Sequence, residues 1–160
     1  AELFLSYLHK NDELSKVTEI YTYLYGSLAK TGLGHGSDIA IMLGLSNEDF
    51  TTIDTDKIND KIERIRQRGL INISEDQAIS FNYEKHIIFE FNKKLDYHPN
   101  GMRFEAILSD GNTISREYFS VGGGFVVTQD SNFVGQNPII TQFPCHTAQD
   151  IMKNCKKTKS

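Results

Sequence analysis

Apolar positions along the chain change period several times, and each change marks an element. Leu3, Phe4, Leu5, Tyr7 and Leu8 crowd together before the polar Lys10-Asn11-Asp12, the pattern of an amphipathic helix. No start signal precedes that helix, so the natural chain is expected to begin before Ala1. Val17 to Tyr25 is dense in β-branched and aromatic residues and closes at Gly26-Ser27, which predicts a strand. Tyr21, Tyr23 and Tyr25 would share one face of it as packing residues. Ser27 can cap a short helix running to Thr31. Gly32-Leu33-Gly34-His35-Gly36 then forms a loop into Ser37, a good N-cap for a helix over Asp38 to Leu43. Asp54-Thr55-Asp56 caps a further helix with an Ile58, Ile62, Ile65 stripe, an Asp60–Arg64 pair four residues apart, and Gly69 as its stop.

Downstream the period shortens to two. Ala78 to Phe81, His86 to Phe91 and Met102 to Leu108 read as strands, and Asp110-Gly111 turns the last of them into Thr113 to Val121. Thr128 to Pro144 mixes Asn, Gln, Gly and Pro without periodicity and reads as a linker, with one short helix expected over Thr147 to Cys155. The order of elements predicts an α+β domain with a mostly antiparallel sheet and helices packed on one face.

Composition narrows the partners. At 160 residues, 39% hydrophobic and 24% charged, the chain is expected to be a single folded, soluble domain. A net charge of -4 and a pI near 5.7 argue against broad electrostatic capture of nucleic acid or an anionic membrane. No apolar run approaches the roughly 20 residues that span a bilayer. The opening AELFLSYLHK lacks the basic start of a signal peptide, so a cytoplasmic location is expected. Cys145 and Cys155 are the only cysteines, spaced for neither a disulfide framework nor a metal knuckle. His9, His86 and His146, placed on a helix, a strand and a tail, have no metal-pair spacing and read as structural or surface residues.

Three glycine-jointed corners could carry chemistry: Gly34-His35-Gly36-Ser37-Asp38, His98-Pro99-Asn100-Gly101-Met102 and Ser120-Val121-Gly122-Gly123-Gly124. At the first, a serine-capped helix start offers unpaired N–H donors to a carboxylate, while Asp38 could hold an ammonium group. A plain helix cap explains the same residues equally well. At the second, proline holds His98 extended and Asn100-Gly101 turns the chain, which a simple turn also explains. The triple glycine is not a phosphate loop, because Gly-x-Gly-x-x-Gly is absent.

Taken in order, LYGSLAKTGLGHGSDIAIMLGL, TIDTDKINDKIERIRQRG and HPNGMRFEAILSDGNTISREYFSVGGGFV resemble the beta domain of bacterial iron-sulfur L-serine dehydratases. The resemblance runs from Leu24 to Val127, with a weaker echo at Ala148 to Cys155. Ser37 stands where that family usually has threonine, and the family's opening Gly-Pro-Ser-Ser-Ser-His-Thr stretch is missing. The resemblance implies a beta domain over residues 1–127, truncated at its N-terminus, and a linker over 128–160 towards a catalytic alpha domain. It implies an enzyme that converts L-serine to pyruvate and ammonia with a four-iron four-sulfur cluster held by that alpha domain, leaving this fragment inactive alone. It also implies likeness to the allosteric substrate-binding domain of phosphoglycerate dehydrogenase. An effector pocket for L-serine would then comprise His35, Gly36, Ser37, Asp38, His98, Asn100 and Gly101. The competing readings are a docking or homodimerisation module of the same enzyme and, more remotely, a metal hydrolase using His35, Asp38 and His98.

Overall fold

The computed structural model describes residues 1–48, 52–123, 125–129 and 131–134, the last four by their backbone alone. The N-terminal helix α1 (Glu2–Lys10) buries Phe4, Leu5 and Leu8, one stripe of its surface. A 3-10 turn leads into β1 (Val17–Tyr25), where Ile20, Thr22 and Leu24 face the core and Tyr21 and Tyr23 the opposite side, as the two-residue strand period requires. Two short helices follow, α2 (Gly26–Gly32) and α3 (Ser37–Leu45). Asp54 then accepts the Asp56 N–H at 3.1 Å to open a 3-10 turn before α4 (Ile58–Arg68). Gly69 ends α4 in the left-handed conformation, φ 62°, as its position predicted. Ile62 of the expected stripe is buried. Asp60–Arg64 is not among the ion pairs of the described residues; Arg64 lines a groove with α3 and the strand after α4.

That strand, β2 (Leu70–Ser74), pairs with β3 (Gln77–Ser80) in a separate two-stranded sheet. The sequence reading found only the second of the two, because the Glu75-Asp76 turn carries no glycine to announce a hairpin. Yet β2 alternates plainly, burying Ile71 and Ile73 while exposing Leu70 and Asn72. Next comes α5 (Tyr83–His86), one turn capped by Asn82, whose side chain accepts the Lys85 N–H at 3.0 Å. His86 therefore closes a helical turn and does not begin a strand. Its Nδ1 accepts the Asn82 N–H at 2.8 Å, an interaction only the turn provides.

The remaining strands are β4 (Ile87–Glu90), β5 (Gly101–Leu108), β6 (Thr113–Gly122), β7 (Phe125–Thr128) and β8 (Ser131–Val134). With β1 they form a six-stranded sheet in the order β4-β1-β5-β6-β7-β8. Every neighbouring pair is antiparallel except β1 and β4. Parallel pairing needs a long crossover, which α2 through α5 supply here. The fold is α+β, with a mixed sheet that is mostly antiparallel. The Asp110-Gly111 turn forms as expected, with Asp110 accepting the Asn112 N–H at 2.9 Å and Gly111 at φ 86°.

One core cluster gathers Ile20 and Leu24 of β1 and Phe104 and Leu108 of β5 with residues of α1, α2, α3, α4 and the small sheet. Phe104, fully buried, stacks on Phe4 at 5.4 Å and meets Tyr118 edge-on at 5.8 Å. Burying such a ring contributes about 1.5–3 kcal/mol. The expected boundary after Val127 falls inside β7, and β8 lies within the stretch read as a linker. The short helix expected over Thr147 to Cys155 lies outside the described residues. No helix among the described residues is long and apolar enough to cross a membrane.

Candidate functional site

The corner at His98 to Gly101 is fixed from three directions. Gly26 sits at φ 55°, and a Cβ there would lie 2.5 Å from the Pro99 carbonyl oxygen, a distance at which only glycine fits. That closeness lets the Ser27 N–H donate to the Pro99 carbonyl at 3.2 Å and the Gly26 N–H to the Lys93 carbonyl at 2.8 Å. The first N–H groups of α2 are thus engaged by the loop, and Tyr25, not Ser27, holds the N-cap position. On the other side, a Cβ on Gly101 would come within 2.7 Å of Leu95 and 3.2 Å of Phe119. Finally, the Ser120 N–H donates to the Asn100 carbonyl at 2.9 Å, joining the second glycine corner to the third.

Within this corner the Asn100 N–H donates to His98 Nδ1 at 3.0 Å. A neutral imidazole that accepts at Nδ1 carries its proton on Nε2, which leaves His98 a donor to offer. His98 and Asn100 are half-buried, and the Asn100 side-chain amide makes no hydrogen bond among the described residues. Gly122 and Gly123 adopt φ 93° and 62°, which turns β6 into β7 beside this corner.

The first corner lies at the other end of α2. Gly32 closes that helix against Ser37, where an added Cβ would lie 3.3 Å from the Ser37 side chain. Gly36, not Ser37, is the N-cap of α3, at φ 70° and without a side-chain capping bond. Its carbonyl accepts the Ala40 N–H at 2.9 Å. Ser37 is consequently the first helical residue, and the N–H groups of Ser37, Asp38 and Ile39 have no backbone acceptor among the described residues. His35 is exposed.

Asp38 is buried and turns inward, accepting the Tyr83 hydroxyl at Oδ2 over 2.8 Å. Burial and the hydrogen bond to Asp38 push the Tyr83 hydroxyl up to about 12, so it stays protonated and donating. Arg66 covers the Tyr83 ring at 4.8 Å. The sequence reading missed Tyr83. Asn82 as the cap of a one-turn helix was the signal that could have placed it opposite α3.

The structure thus brings His98, Asn100 and Gly101 together with Ser120. His35, Gly36, Ser37 and Asp38 stand at the far end of α2, about 9 Å along its axis by the α-helical rise. No hydrogen bond among the described residues joins the two ends directly. No group of three or more His, Cys, Asp or Glu among the described residues could hold a metal ion, which removes the geometric basis for a hydrolase built on His35, Asp38 and His98. An iron-sulfur cluster does not fit the described residues either: they contain no cysteine, and such a cluster takes about four thiolates.

The sequence profile described as serine dehydratase beta chain matches residues 1–131. The chain belongs to this family. It is 34% identical over 164 aligned positions to an L-serine dehydratase of Streptomyces coelicolor, covering 99% of this chain and 36% of that protein. A Haemophilus influenzae L-serine dehydratase is 36% identical over 156 positions, covering 95% of this chain and 34% of its own length. L-serine dehydratase 2 of Escherichia coli is 35% identical over 149 positions, covering 91% and 32%. This beta-chain domain therefore spans about a third of the length of the curated relatives it matches. The family's profile ends at residue 131, close to the last described strand.

Proposed function

We propose that the chain is the effector-sensing beta domain of an enzyme that converts L-serine to pyruvate and ammonia, and that it acts from the cytoplasm on a separate catalytic alpha domain. The observation that carries this reading is the His98–Gly101 corner, rigid in its backbone yet with an imidazole N–H and a side-chain amide left to recognise a small polar molecule. His98 and Asn100 suit the carboxylate and hydroxyl of L-serine. The α3 start at Gly36 and Ser37 offers N–H donors from the other end of α2, beside His35. Asp38 contributes through Tyr83, setting where α3 begins. In this reading the domain is of the allosteric substrate-binding type found in phosphoglycerate dehydrogenase.

A four-iron four-sulfur cluster would supply Lewis-acid chemistry when bound, with thiolates from the catalytic portion, which leaves this chain inactive by itself. This chain's residues would act on the reaction only by binding serine and favouring one arrangement of the two domains, a coupling that is reciprocal. The test is to join the chain to the catalytic portion of an L-serine dehydratase and follow pyruvate. Asn100→Ala is expected to shift the serine concentration for half-maximal rate by at least about fivefold, within the usual range of allosteric coupling. Unchanged serine dependence would contradict an effector role.

A purely structural docking or homodimer module is the second reading, favoured by the sheet face opposite the core. There Arg103 lies over Tyr23 at 4.7 Å and pairs with Glu105 at 3.0 Å. Loss of domain assembly in Asn100→Ala, in place of an altered serine response, would favour that reading.

A further inference from the structure

A groove of about 230 Å³ opens where the end of α3, one face of α4 and β2 meet. It lies at the far end of α3 from the Ser37 corner, so it is independent of the effector reading. It is lined by apolar Leu43, Ile65 and Leu70 and by cationic Lys61, Arg64 and Arg68, with the Glu48 carboxylate among them. Positions 61, 64, 65 and 68 fall on a single stripe of α4. Lys61 is neutralised by Glu48 at 2.6 Å. Arg64 and Arg68 have no carboxylate partner among the described residues, in a chain whose net charge is -4.

Two arginines four residues apart repel and slightly destabilise a helix. The helix dipole favours Arg68, which sits in the last turn of α4, but its effect fades within one turn and does not account for Arg64. Nor does it account for Leu70, which keeps 46% of its surface exposed in the same groove. Two guanidinium groups lining one groove with apolar side chains match a ligand with two negative oxygens on a short carbon stem. The volume is below the usual range for drug-sized ligands and far short of a nucleic-acid track.

We propose that this groove binds a small organic dianion, either a phosphate monoester or a dicarboxylate, with its charged head on Arg64 and Arg68 and its stem on Leu43, Ile65 and Leu70. The test is amide and arginine side-chain NMR of the labelled chain, titrated separately with inorganic phosphate and with succinate, holding ionic strength constant with chloride. Saturable shifts at Leu70, Asn72 and the Arg64 and Arg68 Nε–H groups at millimolar anion are expected. Saturation by phosphate alone supports the monoester, and saturation by succinate supports the dicarboxylate. Arg64→Gln with Arg68→Gln is expected to weaken binding at least about tenfold, two charge-assisted contacts being lost. The charge-matched Lys10→Gln with Lys30→Gln should leave it unchanged. Should the double variant lose its native spectrum, Arg64→Gln alone serves. Shifts that merely follow total salt, or binding that survives the arginine changes, would overturn the proposal.

Discussion

The two ends of α2 are built on different physics. At the Pro99 end the chain is held by backbone: a left-handed Gly26, carbonyls of the 93–99 loop that accept the first helical N–H groups, and a Gly101 pressed against Leu95 and Phe119. At the Ser37 end the hold is a side-chain contact, Asp38 to Tyr83, reached across α3 and α5. A backbone-held corner can keep its side chains uncommitted, and His98 Nε2 and the Asn100 amide make no hydrogen bond among the described residues. A side-chain-held corner commits what holds it, and Asp38 is committed. In the proposed reading, recognition belongs to the His98–Gly101 end and adjustability to the Ser37 end.

Breaking the backbone-held end should have the largest effect. Gly26→Ala places a Cβ in a left-handed conformation against the Pro99 carbonyl, and chemical denaturation should register a loss of about 2–4 kcal/mol. Tyr83→Phe removes the donor to a buried carboxylate and should cost about 1–3 kcal/mol in the same measurement. Its signature would be altered amide shifts through α3 with those of Asn100 and Gly101 unmoved. Gly101→Ala meets the movable end of Leu95 rather than backbone, so a cost of about 1 kcal/mol is expected, with altered His98 and Asn100 resonances.

Acid provides a gentler probe of the same difference. Burial holds the His86 imidazole below its ordinary value of 6.5, so protons bind the unfolded chain more readily. Its contribution to stability is whole above pH 6.5 and is lost as pH falls towards the folded value. Because His86 Nδ1 accepts the Asn82 N–H, its protonation removes that acceptor and should loosen α5 and the Tyr83 it carries. His86→Phe should flatten that pH dependence in thermal melts, although it also removes the acceptor for Asn82.

Much of this architecture could be read from residue order. β1 is dense enough in β-branched and aromatic residues to declare both its ends, and Asp110-Gly111 and Gly69 carry turn chemistry that leaves few alternatives. β2 escaped because its turn lacks glycine, and α5 because one helical turn has no period to detect. The candidate corners were visible as glycine clusters, but what distinguishes them was not. That Gly26 contacts Pro99, and that Asp38 faces Tyr83, depends on approaches between residues 45 to 73 positions apart. Local pattern carries no record of such pairs, so Asp38 read as a free carboxylate when it is a buried partner. Ser37 read as a cap because serine prefers that position, yet the left-handed turn put glycine there instead.

The His98–Gly101 corner is the proposed recognition element. Titrating the labelled chain with L-serine while following its backbone amides tests this most directly. Saturable shifts centred on Asn100, Gly101 and Ser120, abolished in Asn100→Ala, are the predicted result. A spectrum that stays unchanged at those three positions through millimolar serine would contradict it.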